Sequence, residues 1–142
     1  MTARKVAIAV LAIALIAVLT YLRDPAWLAG IESGFGPWTA EADGTRFRWA
    51  STHASFFVPS DRREMTLPVR APIEGTNSWR PIVSVTVDDQ LRARVELADG
   101  NWKDLTVDLR HETSRRVRRI DVRVEPARDG ARAIQAGVPQ TK

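Results

Sequence analysis

Four of the five tryptophans, Trp38, Trp49, Trp79 and Trp102, fall after residue 30. They are the side chains best suited to chemistry with a ligand. An indole face stacks on the apolar face of a sugar ring, and its N–H adds a polar handle. The ordinary alternative is that a tryptophan fills a core. Trp49 shares a strand phase with Phe47 and is read as core. Trp102 follows a turn and leads a strand whose phase slips by one before Leu105, so it caps the core or stands on a rim. Trp79 lies beside Arg80 in the loop 74–81, where an exposed binding aromatic is expected. Trp79, Trp102 and Arg80 are the candidate ligand-binding residues.

Arginine supplies the second candidate. Arg115, Arg116, Arg118 and Arg119 surround Val117, with Arg110, His111 and Arg123 nearby. Planar guanidiniums pair well with phosphate oxygens, so beside a bilayer this run would contact lipid phosphates or a polyprenyl-linked pyrophosphate. The alternative is a solvated turn and strand face.

Other reactive types are sparse. His53 and His111 are far apart, and there is no cysteine. No zinc-ligand spacing, nucleophile elbow, phosphate loop or dinucleotide fingerprint occurs. Asp88-Asp89 reads as a turn, which aspartate favours. We assign no catalytic residue and no metal ligand, expect no cofactor, and read the chain as non-enzymatic.

The elements that must position these residues begin with an anchor. Residues 6–22 carry no charge and only two polar side chains, Thr20 and Tyr21. As a helix they cross roughly 25 Å of hydrocarbon. The apolar stretch is longer than a usual signal-peptide core, and a cut after Ala29 would place bulky Trp27 at the −3 position. An uncleaved anchor is the preferred reading, with a cleaved signal as the alternative. Arg4 and Lys5 precede the run, so the N-terminus is expected in the cytoplasm and the remainder outside the inner membrane. Net charge is +4, and 18 of the 21 basic residues are arginine. Export argues against a nucleic-acid partner.

Residues 23–44 read as a connector rich in glycine and proline, and 45–142 as the extracytoplasmic domain. There the hydrophobic period is two. Met65, Leu67 and Val69 share one face of a strand in which Pro68 implies an edge, or pairing on one side. Val83, Val85 and Val87 share another, and after a turn at Asp88-Asp89-Gln90 so do Leu91, Ala93, Val95 and Leu97. Leu105, Val107 and Leu109, then Ile120, Val122 and Val124, repeat the pattern. Val117 is out of phase with Ile120, which implies a bulge or a strand start. A weak segment at 134–138 ends the chain. About seven or eight short strands with no later helix predict an all-β antiparallel sandwich, jelly-roll-like, behind one transmembrane helix.

Several stretches resemble the β-sandwich modules attached to bacterial membrane-embedded glycosyltransferases. They are Gly34-Phe-Gly-Pro-Trp38 with Phe47-Arg48-Trp49, Phe56-Phe-Val-Pro59, the Val83–Val87 strand with its acidic turn, the strand led by Trp102, and Asp129-Gly-Ala-Arg132-Ala-Ile134 through Val138. The resemblance implies a carbohydrate-binding-like accessory domain on the outer face of the cytoplasmic membrane. It would act on envelope glycan or a lipid-linked sugar, or dock onto a membrane glycosyltransferase or envelope complex. The many-helix catalytic body of those transferases has no counterpart in this chain, so no catalytic role is implied.

Overall fold

The apolar run forms a single helix, α1 (Ala3–Arg23), and the remaining regular structure is almost entirely antiparallel β. The computed structural model describes residues 3–73, 79–126 and 132–141. The 21 residues of α1 reach ~30 Å, the thickness of a bilayer's hydrocarbon core. None of its side chains is buried against the rest of the protein. A short 3-10 helix (Ala26–Gly30) turns the chain into the sheet.

Nine strands follow among the described residues: β1 (Glu32–Ala40), β2 (Arg46–Pro59), β3 (Glu64–Arg70), β4 (Ile82–Val87), β5 (Gln90–Glu96), β6 (Lys103–Asp108), β7 (Val117–Glu125), β8 (Ile134–Gly137) and β9 (Gln140–Thr141). β2 organises the layers. Its second half, from His53 to Pro59, pairs with β7, which leads on to β4 and β5. Its first half, from Phe47 to Ala50, pairs with β8, which leads on to β3 and β6. One long strand thus serves both layers of a curled sandwich, and β5 approaches β6 on the far side.

The two halves of β2 meet where its register with β1 breaks. Ser33 faces Ser55, but Phe35 faces Ala50. Gly34 sits at the break with φ +75°, and a Cβ there would lie 2.2 Å from the His53 carbonyl oxygen. Only glycine fits so close an approach. Residues 32–40, read from the sequence as connector, are therefore a strand. Its glycines and Pro37 leave it no apolar period to betray it.

The core between the layers follows the alternation. Met65, Leu67 and Val69 of β3, Val83, Val85 and Val87 of β4, and Ile120, Val122 and Val124 of β7 are all buried. Burying each such side chain is worth ~1.5–3 kcal/mol. The weak segment at 134–138 becomes β8, an interior strand whose four residues are all buried. Pro68 lies between β9, paired at Met65 and Thr66, and β8, paired at Val69 and Arg70. It faces Asp104 of β6 on the other side. β3 is thus an interior strand, with its proline where the neighbouring strand is interrupted.

Two phase expectations resolve differently. Leu91 is 60% exposed rather than inward. Asp88 (φ 48°) and Asp89 (φ 66°) form the tight turn, and a bulge between Leu91 and Ala93 then places Leu91 beside outward-facing Thr86. β7 holds one register against β2 from Val117 to Arg123, so Val117 marks a strand start. Arg118 takes the inward position that precedes Ile120.

Candidate functional site

The parity of β2 decides where its aromatics point. Ala50, Ala54, Phe56 and Val58 face the core. The same phase carries Arg48 inward, opposite the core residue Ala136 of β8. Trp49 therefore lies on the outer face, opposite Gln135, and so does Phe47, opposite Gly137. The expectation that Trp49 fills the core is corrected. Its apolar alternation with Phe47 builds a second, smaller apolar layer outside the sheet.

That outer layer is continuous. Phe47 meets Trp49 edge-on at 6.2 Å between centroids and Trp102 at 6.5 Å. Gly137 lacks the side chain that would strike the Pro68 ring, only 2.9 Å from an added Cβ, so β8 stays low beneath the aromatics. Arg70 lies over the Trp102 ring at 4.6 Å, donates to Gln135 Oε1 at 2.7 Å, and pairs with Glu41. Arg132 stands at the other end, 5.6 Å from the centre of Trp49.

Beside Trp49 the surface opens into a cleft of about 590 Å³. Gly34, Phe35, Gly36, Pro37 and Thr39 of β1 form one wall, Trp49 and Ser51 of β2 the floor, and Arg132 the rim. Both glycines thin the β1 wall, and a Cβ on Gly36 would approach Trp49 at 3.8 Å. The lining is mostly apolar, with a half-buried indole and a few polar groups, as a stacking site for a sugar requires. Proline and glycine in β1, together with the β2 parity, were the sequence signals for this cleft.

The residues singled out from the sequence fall in different settings. Trp102 joins the outer aromatic layer through Phe47. Trp79 packs against the main core, and its Nε1–H donates to the Pro126 carbonyl at 3.3 Å. Arg80 is exposed and donates to the Trp79 carbonyl. Most of loop 74–81, at residues 74–78, lies outside the described residues.

The arginine run is largely committed to the protein itself. The Arg118 side chain is 4% exposed, donates to the His111 carbonyl and lies 3.7 Å from Asp88. The structure places it as a buried residue paired within the protein. Arg119 bonds Asp121 at 2.7 Å and reaches Asp89 at 3.4 Å. Arg115 binds Asp24 at 3.3 Å, and Asp24 also accepts the Arg116 backbone N–H. Arg23 reaches Ser114. The loop before β7 is thus tied to the C-terminal end of α1, and among the described residues Arg116 alone of the four has its guanidinium in no ion pair.

Asp121 is the one buried carboxylate among the described residues. It lies mid-strand on the outer face of β7, between Ser55 and Thr86. Burial pushes its pKa up, but hydrogen bonds from Arg119 and from His53 (3.2 Å) outweigh this and hold it below the usual carboxylate value. No group of three or more potential metal-ligating side chains occurs among the described residues.

Neither a protein-family model nor a curated protein matches the chain. Solved structures share its fold. The EclA C-terminal domain, a sugar-binding protein, superposes with a TM-score of 0.50 at 17% identity, covering 86% of this chain and 95% of that one. The CBM51-2 and INT domains of Clostridium perfringens ZmpB give 0.49 at 16% identity, over 74% of this chain. The chain spans about a quarter (25%) of that structure's length. The architecture is thus one shared with the EclA domain.

Proposed function

We propose that the chain is a membrane-anchored, non-catalytic carbohydrate-binding module. The single observation that carries this reading is the cleft on the outer face of β1–β2, where half-buried Trp49 lies between a wall of glycine and proline and the Arg132 rim. A sugar ring stacked on Trp49 would lie across that floor, with Trp102 and Phe47 extending the apolar strip for a second ring. The fold shared with the EclA domain supports the same reading. Helix α1 would hold the module at the inner membrane with its N-terminus in the cytoplasm, so that the cleft faces envelope glycan.

The test is a glycan array probed with the full chain in detergent. Trp49→Ala is expected to lose at least ~10-fold in affinity for every glycan bound, and Trp79→Ala to retain binding. Retention of affinity in Trp49→Ala would reject the site. Absence of any glycan, with a membrane glycosyltransferase recovered on the tagged chain instead, would favour protein docking.

A further inference from the structure

Four arginines lie over aromatic rings of this half of the sandwich. Arg46, over Trp38 at 5.4 Å, stands outside the cleft lining, and the charges of the other three are handled differently. Arg48, over Phe35 at 3.8 Å, is paired with Glu32. Arg70, over Trp102, is paired with Glu41. Arg132, over Trp49, has no carboxylate within ion-pair distance among the described residues. It is exposed at the rim, and none of the residues lining the cleft is acidic. The Ser51 hydroxyl is already spent on the His53 carbonyl. Among the described residues, the cleft therefore offers an aromatic floor and one guanidinium with no carboxylate partner.

A guanidinium fork is matched by a carboxylate, which accepts two parallel N–H bonds. At the edge of an apolar cleft such a pair is screened less than on open surface. An acidic group inside the cleft would repel such a ligand, and among the described residues there is none. We infer that the Trp49 cleft selects acidic sugars, taking a uronic-acid ring on the indole with its carboxylate on Arg132. This inference rests on the proposal that the cleft binds sugar.

The experiment uses the full chain in lipid nanodiscs. The probes are uronic-acid disaccharides, each matched with its carboxyl-reduced neutral counterpart, and dissociation constants are measured by calorimetry. The acidic member is expected to bind at least ~10-fold more tightly than its neutral partner. Arg132→Gln should erase that difference. Arg132 is exposed, so the substitution leaves the core intact. Trp49→Ala should weaken both members. Equal affinity for both members, or equal loss of both in Arg132→Gln, would overturn the inference while leaving the sugar site standing. Failure of every member of every pair to bind would overturn the sugar site and the inference with it.

Discussion

At the scale of single residues, the fold depends on a few positions that have no substitute. Gly34 combines a positive φ with a backbone approach that excludes any Cβ. Gly34→Ala is expected to cost at least ~2 kcal/mol, read as a fall in the urea midpoint. Asp121 is the second such position. Its buried carboxylate accepts from Arg119 and His53, so Asp121→Asn should cost ~2 kcal/mol at pH 7. Its pKa is depressed in the folded state. The stabilisation is therefore complete above the unfolded carboxylate value near ~4 and is lost as pH falls below it. The gap between wild type and Asp121→Asn in unfolding experiments should narrow as pH falls below ~4, and a gap that does not narrow would assign the cost to packing instead. Sequence reasoning placed Asp88 and Asp89 in a turn, and they form it. It placed Trp49 in the core because Phe47 and Trp49 alternate with Arg46 and Arg48. The phase of Ala50, Ala54, Phe56 and Val58, followed back by two residues, puts Arg48 inward and Trp49 outward. An inward arginine is rare enough that hydrophobicity alone selects the wrong face.

At the scale of elements, legibility tracked burial. β3, β4 and β7 bury alternating branched side chains and were readable from period two. β1 was not, because it is an irregular strand paired only with β2 among the described residues, with glycine and proline where apolar residues would stand. The same features blunt β1 as an edge. Broken register and Pro37 make poor templates for an added strand, so its inner wall is free to line a cleft. β8 was only faintly visible, since four residues, one of them a buried glutamine, give too short a pattern to score. Its burial comes from lying between β2 and β3, a relation that no local pattern encodes.

At the scale of the whole molecule, helix α1 and the sandwich are joined by a clamp. Asp24 receives Arg115 and the Arg116 backbone N–H, and Arg23 reaches Ser114, directly after the last turn of α1. The loop before β7 is held at the helix exit, and β1 carries the chain onward to the cleft. Asp24→Ala should free this loop without unfolding the sandwich. Hydrogen exchange of the full chain in nanodiscs would then show lost protection at Arg116 and unchanged protection in β4 and β7. Lost protection throughout the sheet would instead make the clamp part of the core's stability. The central claim, that the outer face at Trp49 binds sugar, is tested most directly by the indole N–H resonances of the 15N-labelled chain in nanodiscs, titrated with glycan oligosaccharides. A saturable shift of the Trp49 indole, with the Trp79 indole unmoved, is the predicted result. A shift confined to Trp79, or none at any tryptophan, would contradict it.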